Sequence, residues 1–117
     1  MRSVLIVDDN AVNRKLAAAL LKRRGMQVDE ADSGGLALEM LQSNSYDTVL
    51  LDISMPVMDG KEVCRIIRST PHLAALRVIA YTAHAMESER QSIMAAGFDD
   101  LLVKPISSQD LLRVVPD

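Results

Sequence analysis

Aromatic side chains are nearly missing from this chain. Of 117 residues only Tyr46, Tyr81 and Phe98 are aromatic, and there is no tryptophan. A cofactor site walled by stacking rings therefore has too few parts. Cysteine occurs once, as Cys64, which excludes an intramolecular disulfide and a cysteine-built zinc site. Positive charge is not in surplus: 13 Lys and Arg against 16 Asp and Glu leave a net charge of −3. Sequence-independent attraction to nucleic acid or to an anionic membrane is not expected from that balance. No apolar run nears the ~20 residues of a membrane span. The opening Met1-Arg2-Ser3-Val4-Leu5-Ile6-Val7 meets acids too soon, and lacks the cleavage site, to be a signal peptide. What is present is ordinary for a globular domain: 49% hydrophobic and 25% charged residues, which argues against disorder. A chain of this size buries roughly 65% of its unfolded surface, so it needs no disulfide or structural metal. The expectation is one cytoplasmic domain over residues 1–117.

No internal repeat, low-complexity tract or linker interrupts the chain. Two periods alternate instead. Short apolar runs recur at Val4-Leu5-Ile6-Val7, Thr48-Val49-Leu50-Leu51, Val78-Ile79-Ala80-Tyr81 and Leu101-Leu102-Val103. Such runs suit strands covered on both faces. Gln27-Val28-Asp29-Glu30-Ala31 alternates and suits a more exposed strand.

Helical segments lie between the strands. Asn10 is placed to cap a helix whose apolar face is Val12, Leu16, Ala19 and Leu20, ending at Gly25. Ser33 precedes a second, with Leu36, Leu38, Met40 and Leu41. Val63, Ile66 and Ile67 mark a third, closed before Pro71. Met86, Ile93 and Met94 mark a fourth, closed near Gly97. Ser107-Ser108-Gln109-Asp110 resembles a capping box before Leu111, Leu112 and Val115, and Pro116 keeps that helix short. Five βα units predict an α/β, flavodoxin-like doubly wound fold with a five-stranded parallel sheet of order 2-1-3-4-5. Ligand sites in such sheets lie at the carboxyl ends of the strands, beside the switch point between strands 1 and 3.

Those strand ends carry chemistry. Strand 1 ends in Asp8-Asp9, strand 3 in Asp52, strand 4 in Thr82 and strand 5 in Lys104-Pro105. Three acids brought together repel and lose hydration, so they are rarely gathered without a cation. An all-oxygen set with few ligands favours Mg²⁺, which keeps waters and shares its shell with phosphate. Asp52, emerging from a buried strand, could attack a phosphoryl group to give an acyl phosphate. Lys104 and Thr82 could hold the remaining phosphoryl oxygens. Singly, each residue also fits a blander role: Asp8 and Asp9 as helix caps, Lys104 as a surface lysine, Thr82 as a turn cap. Pro105 admits a cis bond that would redirect the chain after strand 5. Pro56 and Gly60 punctuate a tight turn into the third helix.

These residues resemble the receiver domain of bacterial two-component response regulators over essentially the whole chain. The motifs are Val7-Asp8-Asp9-Asn10, Leu51-Asp52-Ile53-Ser54-Met55-Pro56-Val57-Met58-Asp59-Gly60, Tyr81-Thr82-Ala83, and Ala96-Gly97-Phe98-Asp99-Asp100 leading to Lys104-Pro105-Ile106. Asn13-Arg14 and Thr82-Ala83-His84-Ala85-Met86 look most like hybrid-kinase or stand-alone single-domain receivers. The resemblance implies that Asp52 accepts phosphate from a phosphohistidine on a sensor histidine kinase or histidine phosphotransfer protein. It implies Mg²⁺ on Asp9, Asp52 and the Ser54 carbonyl, with Asp8 acting largely through water. It implies Thr82 and Lys104 on the phosphoryl group, slow autodephosphorylation, and no activity as an enzyme on other substrates. Output is implied to run from Thr82 to the face of helix 4, strand 5 and helix 5, toward a downstream protein target or a second copy. Neither direct nucleic-acid binding nor membrane insertion is implied.

One position departs from the family. A Tyr or Phe usually stands three residues before the lysine; here it is Leu101. Leu101 is expected to leave Mg²⁺ binding and phosphorylation intact while output depends on the Thr82 loop. Ser54 and His84, each two residues after a site residue, are expected at the mouth, tuning phosphate lifetime. Tyr81 is expected to point away from the side of strand 4 that Thr82 occupies.

Other readings fit less well. A haloacid-dehalogenase-like phosphatase carries its nucleophile on the first strand in an Asp-x-Asp pattern, and here Ile53-Ser54 follow Asp52. A flavodoxin needs a first loop that welcomes phosphate, which Asp8-Asp9 would repel. A degenerate receiver would lack some of the five chemical positions, and all are present. Cys64 reads as packing, His72 has no partner at useful spacing, and Gly34-Gly35 matches no phosphate loop.

Overall fold

A computed structural model of the chain describes residues 2–83, 86–104 and 106–115. The strands are β1 (Ser3–Val7), β2 (Gln27–Ala31), β3 (Thr48–Asp52), β4 (Arg77–Thr82) and β5 (Asp100–Val103). Between and after them lie α1 (Ala11–Arg23), α2 (Gly34–Ser43), α3 (Gly60–Ser69), α4 (Glu87–Ala95) and α5 (Ser108–Val114). All four strand pairings are parallel and the order is β2-β1-β3-β4-β5, as the alternation of periods predicts. Every residue of β3 is buried, because helices cover both faces of a central parallel strand. The edge strand β2 is only half covered, in keeping with its alternating sequence.

Side chains alternate across each strand and so build two cores. Leu5, Val49, Leu51, Val78, Ala80 and Leu101 pack under α2, α3 and α4. Val4, Ile6, Leu50, Ile79, Tyr81 and Leu102 pack under α1 and α5. Cys64 lies buried in α3 as packing.

Caps set where the helices begin. Asn10, Ser33 and Ser107 each accept a backbone N–H three residues on. Asp59 does the same for α3, from Glu62 N.

The inward face of α1 differs from the expectation. Val12 is 77% exposed and Leu16 41%, while Ala17, Ala18 and Leu21 are buried. Apolar residues run round much of this helix, and its small alanines let its backbone come close to the sheet. The larger side chains are left outside. In α4 only Ile93 is buried, and Met86 and Met94 are exposed. The expectations at His84, Pro105 and Pro116 lie outside the described residues.

Arg68 ties the opposite end of the sheet. It donates to the carbonyls of Gly97, Ala74 and Leu76 and pairs with Asp99 at 2.8 Å. Asp99 also accepts Val78 N. One α3 side chain thereby fixes the loops that feed β4 and β5.

Candidate functional site

The acidic turn after β1 is folded by its own polar groups. Asn10 N donates to Asp8 Oδ1 at 2.9 Å while Asn10 caps α1. Arg14 Nη1 donates to the Asp8 carbonyl at 2.9 Å, and Arg14 Nε pairs with Glu30 on β2 at 3.0 Å. Burial works to raise the Glu30 carboxyl, but hydrogen bonds and charge from Lys15 and Arg14 hold it below its ordinary value. One oxygen of Asp8 is thus used by the turn. The other, Oδ2, is buried without a hydrogen-bond partner among the described residues.

Asp52 closes β3 and is 2% exposed. Its Oδ1 accepts Ser54 N at 3.2 Å. Lys104, following β5, reaches back so that Nζ lies 3.3 Å from Asp52 Oδ1 and 3.5 Å from Asp8 Oδ2. Oxygens of Asp8, Asp9 and Asp52 all lie within 4.8 Å of one another. Asp9 is exposed, so the cluster opens to solvent on its side.

The Lys104 ammonium pairs with two of the three clustered carboxyls. The Asp52 carboxyl is pushed up to about 6: burial contributes most, then the Asp8 carboxylate, against smaller opposing effects of Lys104 and Ser54 N. A small divalent cation answers this excess of negative charge. The donor set is all oxygen, and Asp8 Oδ2, which has no hydrogen bond and only the Lys104 ammonium at 3.5 Å, gives it an inner acceptor, so Mg²⁺ fits these residues.

The flanking strands complete the crevice. Thr82 ends β4, 3% exposed, and its carbonyl accepts Lys104 N at 2.7 Å. Tyr81 lies beside Asp52 in the sheet register, and its carbonyl accepts Ile53 N at 3.1 Å. Its ring packs with the α1 and α5 residues, yet its centroid is 4.6 Å from Lys104 Nζ. Burial and the charges of Asp8 and Asp52 push the Tyr81 hydroxyl up to about 12.

The loop after Asp52 is tightly turned. Met58 N donates to the Pro56 carbonyl at 2.8 Å across Val57, which holds a φ of 70°. A β-branched residue in that left-handed region stores strain, and Val57 is fully exposed at the mouth of the site. Gly60 N then donates to the Ile53 carbonyl at 3.1 Å and starts α3.

Sequence reasoning brings Asp8, Asp9, Asp52, Thr82 and Lys104 to one end of the sheet, and there the structure has them. Ser54 is exposed beside Asp52. Leu101 is 6% exposed and pairs with Ala80, in the core under α4 with Ile93, Ala96 and Phe98. Two supports escape sequence reasoning: Arg14 on the acidic turn, and Tyr81 beneath Lys104. The one available signal for Arg14 is a basic residue one helical turn after the Asn10 cap.

The likeness to known proteins runs along the whole chain. The family model for the response regulator receiver domain matches residues 4–116. The Signal transduction histidine-protein kinase BarA of Escherichia coli K12 is 42% identical over 109 residues, covering 93% of this chain and 12% of that protein. Sensor histidine kinase GacS of Pseudomonas protegens is 42% identical over 115 residues, covering 96% and 12% respectively. The chain therefore spans about an eighth of the length of these relatives. The chemotaxis protein CheY4 of Vibrio cholerae superposes with a TM-score of 0.91 at 30% identity, over 97% of this chain and 94% of that one. The receiver domain of sensor histidine kinase PA1611 from Pseudomonas aeruginosa, solved with a magnesium ion coordinated in its active site cleft, superposes with a TM-score of 0.89 at 33% identity. That match covers 97% of this chain and 93% of the other. With this fold, these strand-end residues and these relatives, the chain belongs to the response regulator receiver domain family of two-component signal transduction.

Proposed function

We propose that the chain is a Mg²⁺-dependent phosphoryl acceptor in a phosphorelay, with Asp52 as the residue modified. The observation that carries this reading is Lys104 Nζ within 3.5 Å of both buried carboxylates, Asp8 and Asp52, beside exposed Asp9. A carboxylate oxygen of Asp52 attacks the phosphorus of a phosphohistidine. The new O–P bond forms as the P–N bond breaks, and the departing imidazole takes up a proton. Lys104 and Thr82 hold phosphoryl oxygens. Asp8, Asp9, Asp52 and the Ser54 carbonyl would hold Mg²⁺, which supplies charge neutralisation for the incoming phosphoryl group. Hydrolysis later splits the acyl phosphate and returns the carboxylate, with Ser54 and His84 tuning the rate.

The donor is a histidine kinase or a histidine phosphotransfer protein. Support comes from the relatives, which are histidine kinases, and from the exposed Val12 and Leu16 on α1, the helix that Asp9 and Asn10 lead into. Output runs through Thr82 to the face of α4, β5 and α5, where exposed Met86 and Met94 offer apolar surface to a downstream protein or a second copy. Leu101 fills its core position with no hydroxyl or flat ring to reorient, so the Thr82 loop carries the switch. The 117 residues are taken up by the receiver, and the output acts outside them. A cytoplasmic location suits this chemistry, and among the described residues no helix is long and apolar enough to cross a membrane.

Acetyl phosphate tests the reading without knowledge of the donor. Label is expected to enter the chain with Mg²⁺ and to fall at least about tenfold in EDTA. Equal labelling in EDTA would overturn the metal-dependent mechanism.

A further inference from the structure

The contact between Tyr81 and Lys104 has no place in the phosphoryl-transfer scheme. Lys104 stands within ion-pair distance of both Asp8 and Asp52. Its stem leaves the sheet after β5, and its ammonium ends between two carboxylates and the face of one ring. The carboxylates are variable partners. When they are protonated or bound to a cation, their pull on Lys104 weakens. The ring does not change its charge in any of these states. Its quadrupole attracts an ammonium within about 6 Å, most strongly where water is excluded. Tyr81 is 1% exposed and the Lys104 side chain 19%, so this contact is largely dry. Tyr81 is itself held by the sheet, between Asp52 and Leu102 in register.

We propose that Tyr81 is a positioning residue, whose ring face keeps the Lys104 ammonium at the crevice when Asp8 and Asp52 are occupied. The inference rests on the reading of Asp52 as phosphoryl acceptor, and it assigns the ring rather than the hydroxyl. A Phe should therefore replace Tyr81, and an aliphatic residue should not. Mg²⁺ affinity belongs to the carboxyls and should be indifferent to either change.

The test compares wild type, Tyr81→Phe and Tyr81→Leu, with acetyl phosphate as donor and Mg²⁺ saturating. Tyr81→Leu is expected to take label about three- to thirtyfold more slowly. Tyr81→Phe should stay within about twofold of wild type, and all three should bind Mg²⁺ within about twofold of one another. Equal rates for Tyr81→Leu and wild type would overturn the proposal, as would a Phe variant as slow as the Leu variant. A wild type that takes no label would instead defeat the acceptor reading. A second measurement needs no substitution, and covers a Leu variant that fails to fold. The ε-methylene protons of Lys104 should show an upfield ring-current shift by NMR in the wild type, both with Mg²⁺ and in EDTA. Its absence in the Mg²⁺-loaded protein would show that the ring does not hold the ammonium in the working state.

Discussion

In Mg²⁺-free buffer at about pH 7.5, Asp52→Asn is expected to be more stable than the wild type, by up to about 3 kcal/mol. The sign follows from linkage. The Asp52 carboxyl titrates near 6 in the fold, against an ordinary 3.8, because burial and Asp8 disfavour its charged form. Between those values the folded chain binds more protons than the unfolded chain, so stability falls as pH rises from about 4 to about 6. Above 6 the full cost is present, and an amide at this position removes it. Lys104 would then serve Asp8 alone. Urea denaturation at about pH 7.5 and about pH 4.5 reads the effect, and the gap between variant and wild type should narrow to about 1 kcal/mol at the lower pH. Mg²⁺ should stabilise the wild type and do little for the variant, since a cation bound only by the fold shifts stability by mass action. An Asn variant less stable than wild type at the higher pH in EDTA would show that Asp52 is not under electrostatic stress.

The second large effect is expected at Gly60. A Cβ there would stand 2.2 Å from the Asp52 carbonyl oxygen, and 2.9 Å from Asp52 C and Ile53 Cα. Those are backbone atoms of the acceptor's own turn, so no side chain can swing aside. Either the turn moves or α3 backs away from the sheet, opening the core around Val63, Cys64 and Ile67. Gly60→Ala should cost about 3 kcal/mol or more, the upper end of overpacking changes. Its labelling should be lost even at temperatures where it remains folded. Gly35 supplies the control: it lies in the first turn of α2, and a methyl added there would meet nothing within 4 Å. Gly35→Ala should be neutral or stabilising by up to about 1 kcal/mol. Thermal melts of the two variants side by side check this. A Gly60→Ala protein no less stable than Gly35→Ala would contradict the close-approach argument.

The fold is largely legible in the sequence because the strands are unbroken apolar runs. Val4-Leu5-Ile6-Val7 and Val49-Leu50-Leu51 need cover on both faces, and only a parallel sheet between helix layers provides it. Asn10 and Ser107 announce their helices through side-chain caps. The inward face of α1 is not legible. Hydropathy favours Val12 and Leu16, whereas close approach to the sheet favours Ala17 and Ala18. The same limit applies to α4, where Met86 and Met94 are apolar but outside.

At the site, the acids and Lys104 can be placed because each follows directly on a strand. Strand alternation puts Tyr81 on the side of strand 4 away from Thr82, and its ring packs in the α1 and α5 layer. It says nothing about Lys104, which has left the strand and whose long stem brings its ammonium over the ring. Arg14 and Arg68 escape for a related reason. Their partners are carbonyls and acids brought near by the tertiary fold, and no local spacing encodes those contacts.

Asp52 is proposed as the phosphoryl acceptor, and every role given to its neighbours depends on that. The most direct measurement is acetyl phosphate labelling in Mg²⁺, followed by mass-spectrometric mapping of the modified residue in the wild type and Asp52→Asn. The expected result is an acid-stable, base-labile acyl phosphate on Asp52 of the wild type and no comparable label on the variant. Label of equal amount in Asp52→Asn, or a wild-type label mapped to Asp8, Asp9 or Thr82, would contradict it.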